Sequence, residues 1–148
     1  MKSASKRHRC VLPLATFGKM VVEFEFEPEN KLCVYRISGK VTIEALMKTF
    51  TRARAHEGWS DRYNFLTLLT QASLSEMSAS AMADLQTRMS KADPVQAGPR
   101  RRAAIVCNDE LSRAVLVFWE RTSGETLTTE ERIFSSEREA RAWLAEAP

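Results

Sequence analysis

The segment RRAAIVCNDELSRAVLVFWER, residues 101–121, decides the fold. Its residues 103–107 form a short unbroken apolar run, the pattern of a strand covered on both faces, and Asn108 or Asp109 is placed to cap the helix that follows. A second apolar run at residues 65–69 has the same character. Buried strands that feed helices imply parallel strands joined by crossover helices, so the chain is expected to be an α/β domain.

Working upstream, Val22, Phe24 and Phe26 alternate with Glu23, Glu25 and Glu27 from Met20 onward. This period of two predicts a strand with one face in the core and one in water. Residues 28–31 read as a turn and residues 32–37 as the next strand, which makes the first pair an antiparallel hairpin. After Gly39 and Lys40, Thr42 is a helix cap, and Ile43, Leu46, Met47 and Phe50 recur at i, i+3, i+4 and i+7 to give one buried face. Gly58 closes that helical region, residues 59–63 form a loop, and residues 64–70 make the third strand.

A Ser-rich connector at 73–80, with Ser78 as cap, precedes a helix whose Met82, Leu85 and Met89 share a face. Residues 94–99 form a loop, Arg100, Arg101 and Arg102 lead into the fourth strand, and a helix runs from Asp109 to about Thr122. Residues 131–135 make a last short strand, Ser136 and Glu139 fit a capping box, and Ala140, Trp143 and Leu144 form the buried side of a final helix. The expected architecture is a single mixed, largely parallel sheet with helices in the order ββαβαβαβα, over residues 20–148. Residues 1–19 lack periodicity and read as a basic mobile tail, with Met20 an alternative start.

Composition bounds the function. The chain has 148 residues, 44% of them apolar, enough for one core. Its net charge of +3 is concentrated in the tail: residues 1–19 hold five Lys and Arg and no acid, so the rest carries 17 basic against 19 acidic residues. A slightly acidic domain weighs against nucleic-acid binding. Three widely spaced cysteines, Cys10, Cys33 and Cys107, make neither a disulfide framework nor a thiolate metal site and fit a reducing cytoplasm. The apolar part of residues 10–17 is too short for a signal peptide, and no apolar stretch is long enough to span a bilayer. With no glycine-rich phosphate loop of either common pattern, no nucleotide cofactor is expected.

The sequence carries no catalytic signature. Cys107 and Arg113 have phosphatase C-x5-R spacing, but the intervening residues contain no Gly and place Asp109 and Glu110 where a phosphate dianion would sit. Cys107 reads as a buried small hydrophobe, and the chain as a non-enzyme. His56 is the sole histidine of the domain, so a His-rich metal site is excluded, and a helix-capping or solvated role is expected. Arg100, Arg101 and Arg102 read as a solvated loop, with phosphate or anionic-headgroup binding as the alternative, the more so if Arg52 and Arg54 lie beside them.

The element order resembles the STAS or SpoIIAA-like proteins, the anti-sigma-factor antagonist fold and its divergent bacterial relatives. The resemblance spans residues 20–147 and is carried by Tyr35-Arg36-Ile37-Ser38-Gly39-Lys40-Val41-Thr42, Arg102-Ala103-Ala104-Ile105-Val106, and Ile133-Phe134 followed by Glu139-Ala140-Arg141-Ala142-Trp143-Leu144. It implies a small mixed sheet used for protein contacts and, in some relatives, a proposed apolar-ligand or lipid role. The family's D-S-S-G-like loop, phosphorylated on Ser in sporulation regulators, corresponds here to Thr70-Gln71-Ala72-Ser73-Leu74-Ser75, which has neither the Asp nor the Gly. The match is better to the uncharacterised relatives.

The expected function is therefore a noncatalytic regulatory or protein-interaction domain, with a small apolar-ligand or lipid-binding domain as the alternative. A cavity among Phe50, Trp59, Tyr63 and Trp119 would discriminate the two. Because open α/β sheets bind at the carboxyl ends of their strands, ligand or partner contacts are expected at Thr70, Gln71, Ser73, Ser75, Asn108 and Asp109. On a helical wheel drawn from Leu111, Ala114, Val115 and Phe118 form the core stripe, whereas Leu116 lies about 140° and Trp119 about 80° away. Leu116, with Trp119 at its margin, is then an interface for a protein partner or a second copy of the chain, unless the last helix or the Ser-rich loop covers it.

Overall fold

The computed structural model describes residues 8–10, 19–93, 100–124 and 127–147. The sheet has six strands in the order β1-β2-β3-β4-β5-β6: β1 His8–Cys10, β2 Met20–Glu27, β3 Leu32–Lys40, β4 Asn64–Ser73, β5 Arg101–Val106 and β6 Thr129–Phe134. β1, β2 and β3 pair antiparallel, and β3 to β6 pair parallel, joined by α1 Ile43–Ala55, α2 Ala79–Ala92 and α3 Glu110–Ser123. Adjacent parallel strands connected by crossovers of one hand put the connecting helices on one face. The apolar side chains of α1, α2 and α3 accordingly share one core with Val22, Phe24, Phe26, Tyr35 and Ile37.

α4 Glu137–Ala145 covers the other face, where Ala140, Trp143 and Leu144 pack on Leu32, Val34, Leu66, Leu68 and Ala104. Both faces of β3, β4 and β5 are thus apolar because both are covered, as their unbroken apolar runs require. The helix starts follow the expected chemistry: Thr42, Ser78, Asp109 and Ser136 each accept a hydrogen bond from a backbone N–H of the first turn.

The α/β architecture and the order of elements from Met20 onward are as the sequence implies. Three local readings are corrected. Residues 8–10 are not tail: His8, Arg9 and Cys10 pair with Phe26, Glu25 and Phe24, adding an edge strand. Three residues are too few to show a period, and backbone pairing to the open edge of β2 does not depend on one. Residues 1–7, 11–18 and the 94–99 loop lie outside the described residues.

The glutamate face of β2 is not in water, for Glu25 and Glu27 are 8% and 2% exposed. Glu25 pairs with Arg36 at 3.4 Å, while Glu27 receives two hydrogen bonds from Arg141 of α4 at 3.0 and 2.9 Å and one from Asn30. Charges enter this face because each meets a cation.

The third correction concerns α3. Its buried residues are Ser112, Leu116, Trp119 and Ser123, and Leu111 and Phe118 are 83% and 43% exposed. The core stripe is rotated by roughly 100° from the one drawn on Leu111. Two buried serines disguised it, since small polar residues do not register as core, and α3 lies over the edge strand β6, which leaves its outer apolar residues uncovered. Leu116 and Trp119 are therefore core and not interface residues.

Gly39 sits at a bulge in β3, at φ 81, where an added Cβ would lie 1.9 Å from the Lys19 carbonyl oxygen. The strand continues through it to Lys40.

Candidate functional site

Between the sheet and α1 to α3 lies a cavity of about 180 Å³. Strand alternation supplies its floor: Tyr35 and Ile37 of β3, Phe65, Thr67 and Leu69 of β4, Ala103 and Ile105 of β5, and Glu131 of β6. The helices supply the roof with Met47 and Phe50 of α1, Met82, Leu85 and Met89 of α2, and Leu116 and Trp119 of α3. Four methionines, Met47, Met77, Met82 and Met89, line it, and such unbranched side chains adapt their shape to whatever fills the space. One wall is aromatic, with Tyr35 stacked on Phe65 at 6.4 Å and edge-on to Phe50 at 5.6 Å, and Trp59 5.7 Å from Phe65.

The space is left open for a reason visible in the register. Ala103, where its neighbours on β4 and β6 carry Phe65 and Glu131, contributes a single methyl group. A dry apolar cavity of roughly 150 Å³ holds benzene, so this one has room for roughly six to ten non-hydrogen atoms.

Charged groups gather at one end. Arg54 donates to the Ala92 carbonyl at 2.8 Å and pairs with Asp93 at 2.9 Å. Arg101 bonds the other oxygen of Asp93 and lies over the Phe65 ring, while Arg54 lies over Trp59. Arg54 thus does lie beside the arginine triplet, through a shared carboxylate. The triplet is not a solvated loop. Arg100 donates to the carbonyls of Gly124, Leu127 and Thr129, and Arg102 to those of Trp143, Glu146 and Ala147, closing the C-terminal end of α4. A run of arginines looks solvated in sequence because backbone acceptors from distant segments are invisible there.

Two protic groups belong to the floor, buried Tyr35 and half-buried Glu131, and the buried Cys33 thiol lies within hydrogen-bond reach of Tyr35. Burial pushes the Cys33 thiol up to about 12, against its hydrogen bond with Tyr35, and burial likewise raises the Tyr35 phenol, so both stay protonated. Burial also pushes the Glu131 carboxyl up to about 7, with Glu120 raising it further, while the Thr129 hydroxyl and the Arg100 charge act to lower it.

Of the expected cavity residues, Phe50, Trp59 and Trp119 line the space, and Tyr63 does not, its ring lying 6.2 Å from that of Phe26. The expected contact residues Thr70, Gln71, Ser73, Ser75, Asn108 and Asp109 are all exposed at the carboxyl end of the sheet and do not line the cavity. Thr70, Gln71 and Ser73 belong to β4 itself, which is three residues longer than expected, and the Ser73 hydroxyl donates to that of Ser75. Asp109 is occupied in capping α3; the hydrogen bonds from Ser112 hold its carboxyl below its ordinary value.

Cys107 is 3% exposed with its thiol directed at the Asp109 carbonyl, and Arg113 donates to Ser135. The C-x5-R pair does not converge on a common site. His56 is the C-cap of α1, its Nδ1 accepting from the Gly58 N–H at 3.0 Å and its ring packed against Phe26. Among the described residues, no group of three or more His, Cys, Asp or Glu is arranged to hold a metal ion, and no helix is long and apolar enough to cross a membrane. Glu131 escaped the sequence reading because Glu130-Glu131 looks like surface charge; its position opposite Ala103 needs the register of β6.

No family model matches the sequence, and no curated protein matches it. Among solved structures, the chain is similar to an uncharacterized protein from Shewanella loihica PV-4, described as a DUF3478 family member with a SpoIIAA-like fold, at 18% identity and a TM-score of 0.49 over 97% of this chain and 99% of that one. The strand order and connections establish the α/β architecture.

Proposed function

We propose that the chain is a noncatalytic binding domain that takes a small apolar molecule into the cavity between the sheet and α1 to α3. The observation that supports this is the void itself: about 180 Å³ lined by aromatic, methionine and aliphatic side chains. Protein interiors close-pack, and an unfilled apolar space forgoes dispersion contacts along its whole lining. A ligand that fills it recovers those contacts and leaves water at the same time.

The test is a titration with toluene, followed through the methyl resonances of 13C-methionine-labelled protein. Met47, Met77, Met82 and Met89 should shift together and saturate, while Met20, buried but not part of the lining, should stay. Shifts spread evenly over all methionines, or none up to the solubility of toluene, would remove the reading.

A second reading is favoured by α3. Leu111, Val117 and Phe118 are exposed on its outer side at 83%, 37% and 43%. This is an apolar spot of the kind that protein contacts use, in line with the interaction role that the STAS-like resemblance implies. On this reading the regulatory contact is made by Leu111 and Phe118 in place of Leu116. Phe118→Asp should then shift a dimer to monomer in sedimentation while leaving the melting temperature within a few degrees; a dimer that persists in both Phe118→Asp and Leu111→Asp would oppose it.

A further inference from the structure

The cavity wall contains one carboxyl group whose hydrogen bonding is incomplete. Glu131 of the edge strand β6 lies in register with Ala103 of β5, and both line the cavity. The Thr129 hydroxyl donates to its Oε1 at 3.0 Å, and Oε2 receives no hydrogen bond from the described residues. That oxygen is an acceptor left open on the cavity side of a half-buried residue, where a bound donor can complete it.

The other charged groups of the lining are in a different condition. Arg54 and Asp93 pair with each other, and Asp93 is further bonded by Arg101 and Thr128. They close one end of the cavity and satisfy one another. Glu131 is thus the charged residue of the lining with bonding capacity left over; Arg101, outside the lining, also keeps its Nη1 without a partner among the described residues.

We propose that Glu131 is the polar anchor of the cavity and that its ligand is a small neutral apolar molecule bearing one hydroxyl group, a phenol or short alcohol. This rests on the cavity-binding reading above. The choice of a neutral hydroxyl follows from the surroundings. An ammonium ligand would shed its water into a largely apolar lining whose polar groups besides Glu131 are the hydroxyls of Tyr35, Thr67, Thr128 and Thr129 and charges already paired, and a carboxylate ligand would meet like charge at Glu131. A hydroxyl donates to the carboxylate and accepts from the carboxylic acid, so it serves both forms of a group that titrates near neutrality. The charges that bear on that balance are Arg100 ahead of β5, which lowers the pKa, and Glu120 on α3, which raises it; Arg54 and Asp93 also line the cavity, paired with each other.

The experiment compares toluene, p-cresol, benzylamine and benzoate, probes of matched shape within the size the cavity admits, in calorimetric or NMR titrations of the full chain. Without a partner for its hydroxyl, p-cresol would bind more weakly than toluene, because it gives up a hydrogen bond to water. The anchor predicts the reverse, p-cresol tighter by about fivefold to tenfold, with benzylamine and benzoate weaker than either. In Glu131→Met, of similar volume, toluene should bind as before and the advantage of p-cresol should vanish.

In the wild-type chain, p-cresol should also move the Glu131 carboxyl 13C resonance further than toluene does, a readout that stands even if the variant fails to fold. Toluene binding with no advantage for p-cresol, or an advantage that survives in Glu131→Met, overturns the anchor while leaving the cavity reading intact. Tightest binding by benzylamine or benzoate overturns the ligand class. Failure of toluene to bind removes the cavity reading and the anchor with it.

Discussion

Replacing Ala103 by leucine asks whether the space between the sheet and its helices is real. Ala103 is 8% exposed, its methyl group lines the cavity, and leucine adds three carbon atoms there. At ~0.8 kcal/mol for each buried methylene the gain is about 2.4 kcal/mol, from which ordering the side chain subtracts ~0.5–1 kcal/mol. Net stabilisation of about 1.5 kcal/mol follows, or a rise of roughly 3–6 °C in melting temperature for a chain of this length. The neighbouring Ala104 is the internal control. It is fully buried on the opposite face, packed in the cluster with Trp143 and Leu144, so Ala104→Leu should overpack and cost about 1–3 kcal/mol. Differential scanning calorimetry of the two variants beside the wild type decides the matter, and the toluene response of the methionine methyls should be lost in Ala103→Leu. Should Ala103→Leu lower the melting temperature as Ala104→Leu does, the void would be closed in solution and the reasoning from it refuted.

Further expectations concern the groups that hold the sheet. Arg141→Ala removes the bidentate cation from the Glu27 carboxylate, whose side chain is 3% exposed, so urea unfolding should show a loss of about 3 kcal/mol, much of it recovered by adding Glu27→Gln; a loss under 1 kcal/mol would contradict the buried pair. Gly39→Ala places a Cβ against the Lys19 carbonyl in a left-handed backbone and should cost at least about 2 kcal/mol, read as a lowered melting temperature. For Glu131 the folded carboxyl titrates at about 7 and an ordinary one near 4.5, so between those values the folded state holds the proton more tightly and stability falls as pH rises, levelling off above about 7. Since the group is partly exposed, the fall should be about 1–2 kcal/mol, smaller than full burial would give, and Glu131→Gln should flatten it; a stability that rises from pH 5 to pH 8 through this residue would have the wrong sign.

Much of this architecture is legible in the sequence because local chemistry and tertiary packing agree. Thr42, Ser78, Asp109 and Ser136 cap helices where their residue types say they should, and Ala140, Trp143 and Leu144 bury the face their spacing marks. What stayed hidden depends on partners distant in sequence. Glu25 and Glu27 read as a wet face until Arg36 and Arg141 arrive, Arg100 and Arg102 as a solvated run until the carbonyls after α3 and α4 do, and β1 as tail until it meets the edge of β2.

α3 misleads in a different way. A helix with apolar residues on two sides, one of them spaced by buried Ser112 and Ser123, offers two stripes, and only the position over β6 chooses Leu116 and Trp119 over Leu111 and Phe118. The cavity was half legible: its aromatics are recognisable as a group, but a void is a deficit of volume, and Ala103 opposite Phe65 and Glu131 is a fact of register that no single strand displays.

The most direct measurement of the central claim is a crystal of the protein exposed to iodobenzene, whose anomalous scattering locates a single heavy atom. The account predicts one dominant iodine peak inside the cavity, among Phe50, Leu69, Met82 and Ala103, with the strand order unchanged around it. Iodine found solely on the outer surface, with the methionine side chains filling the space between sheet and helices, would contradict it.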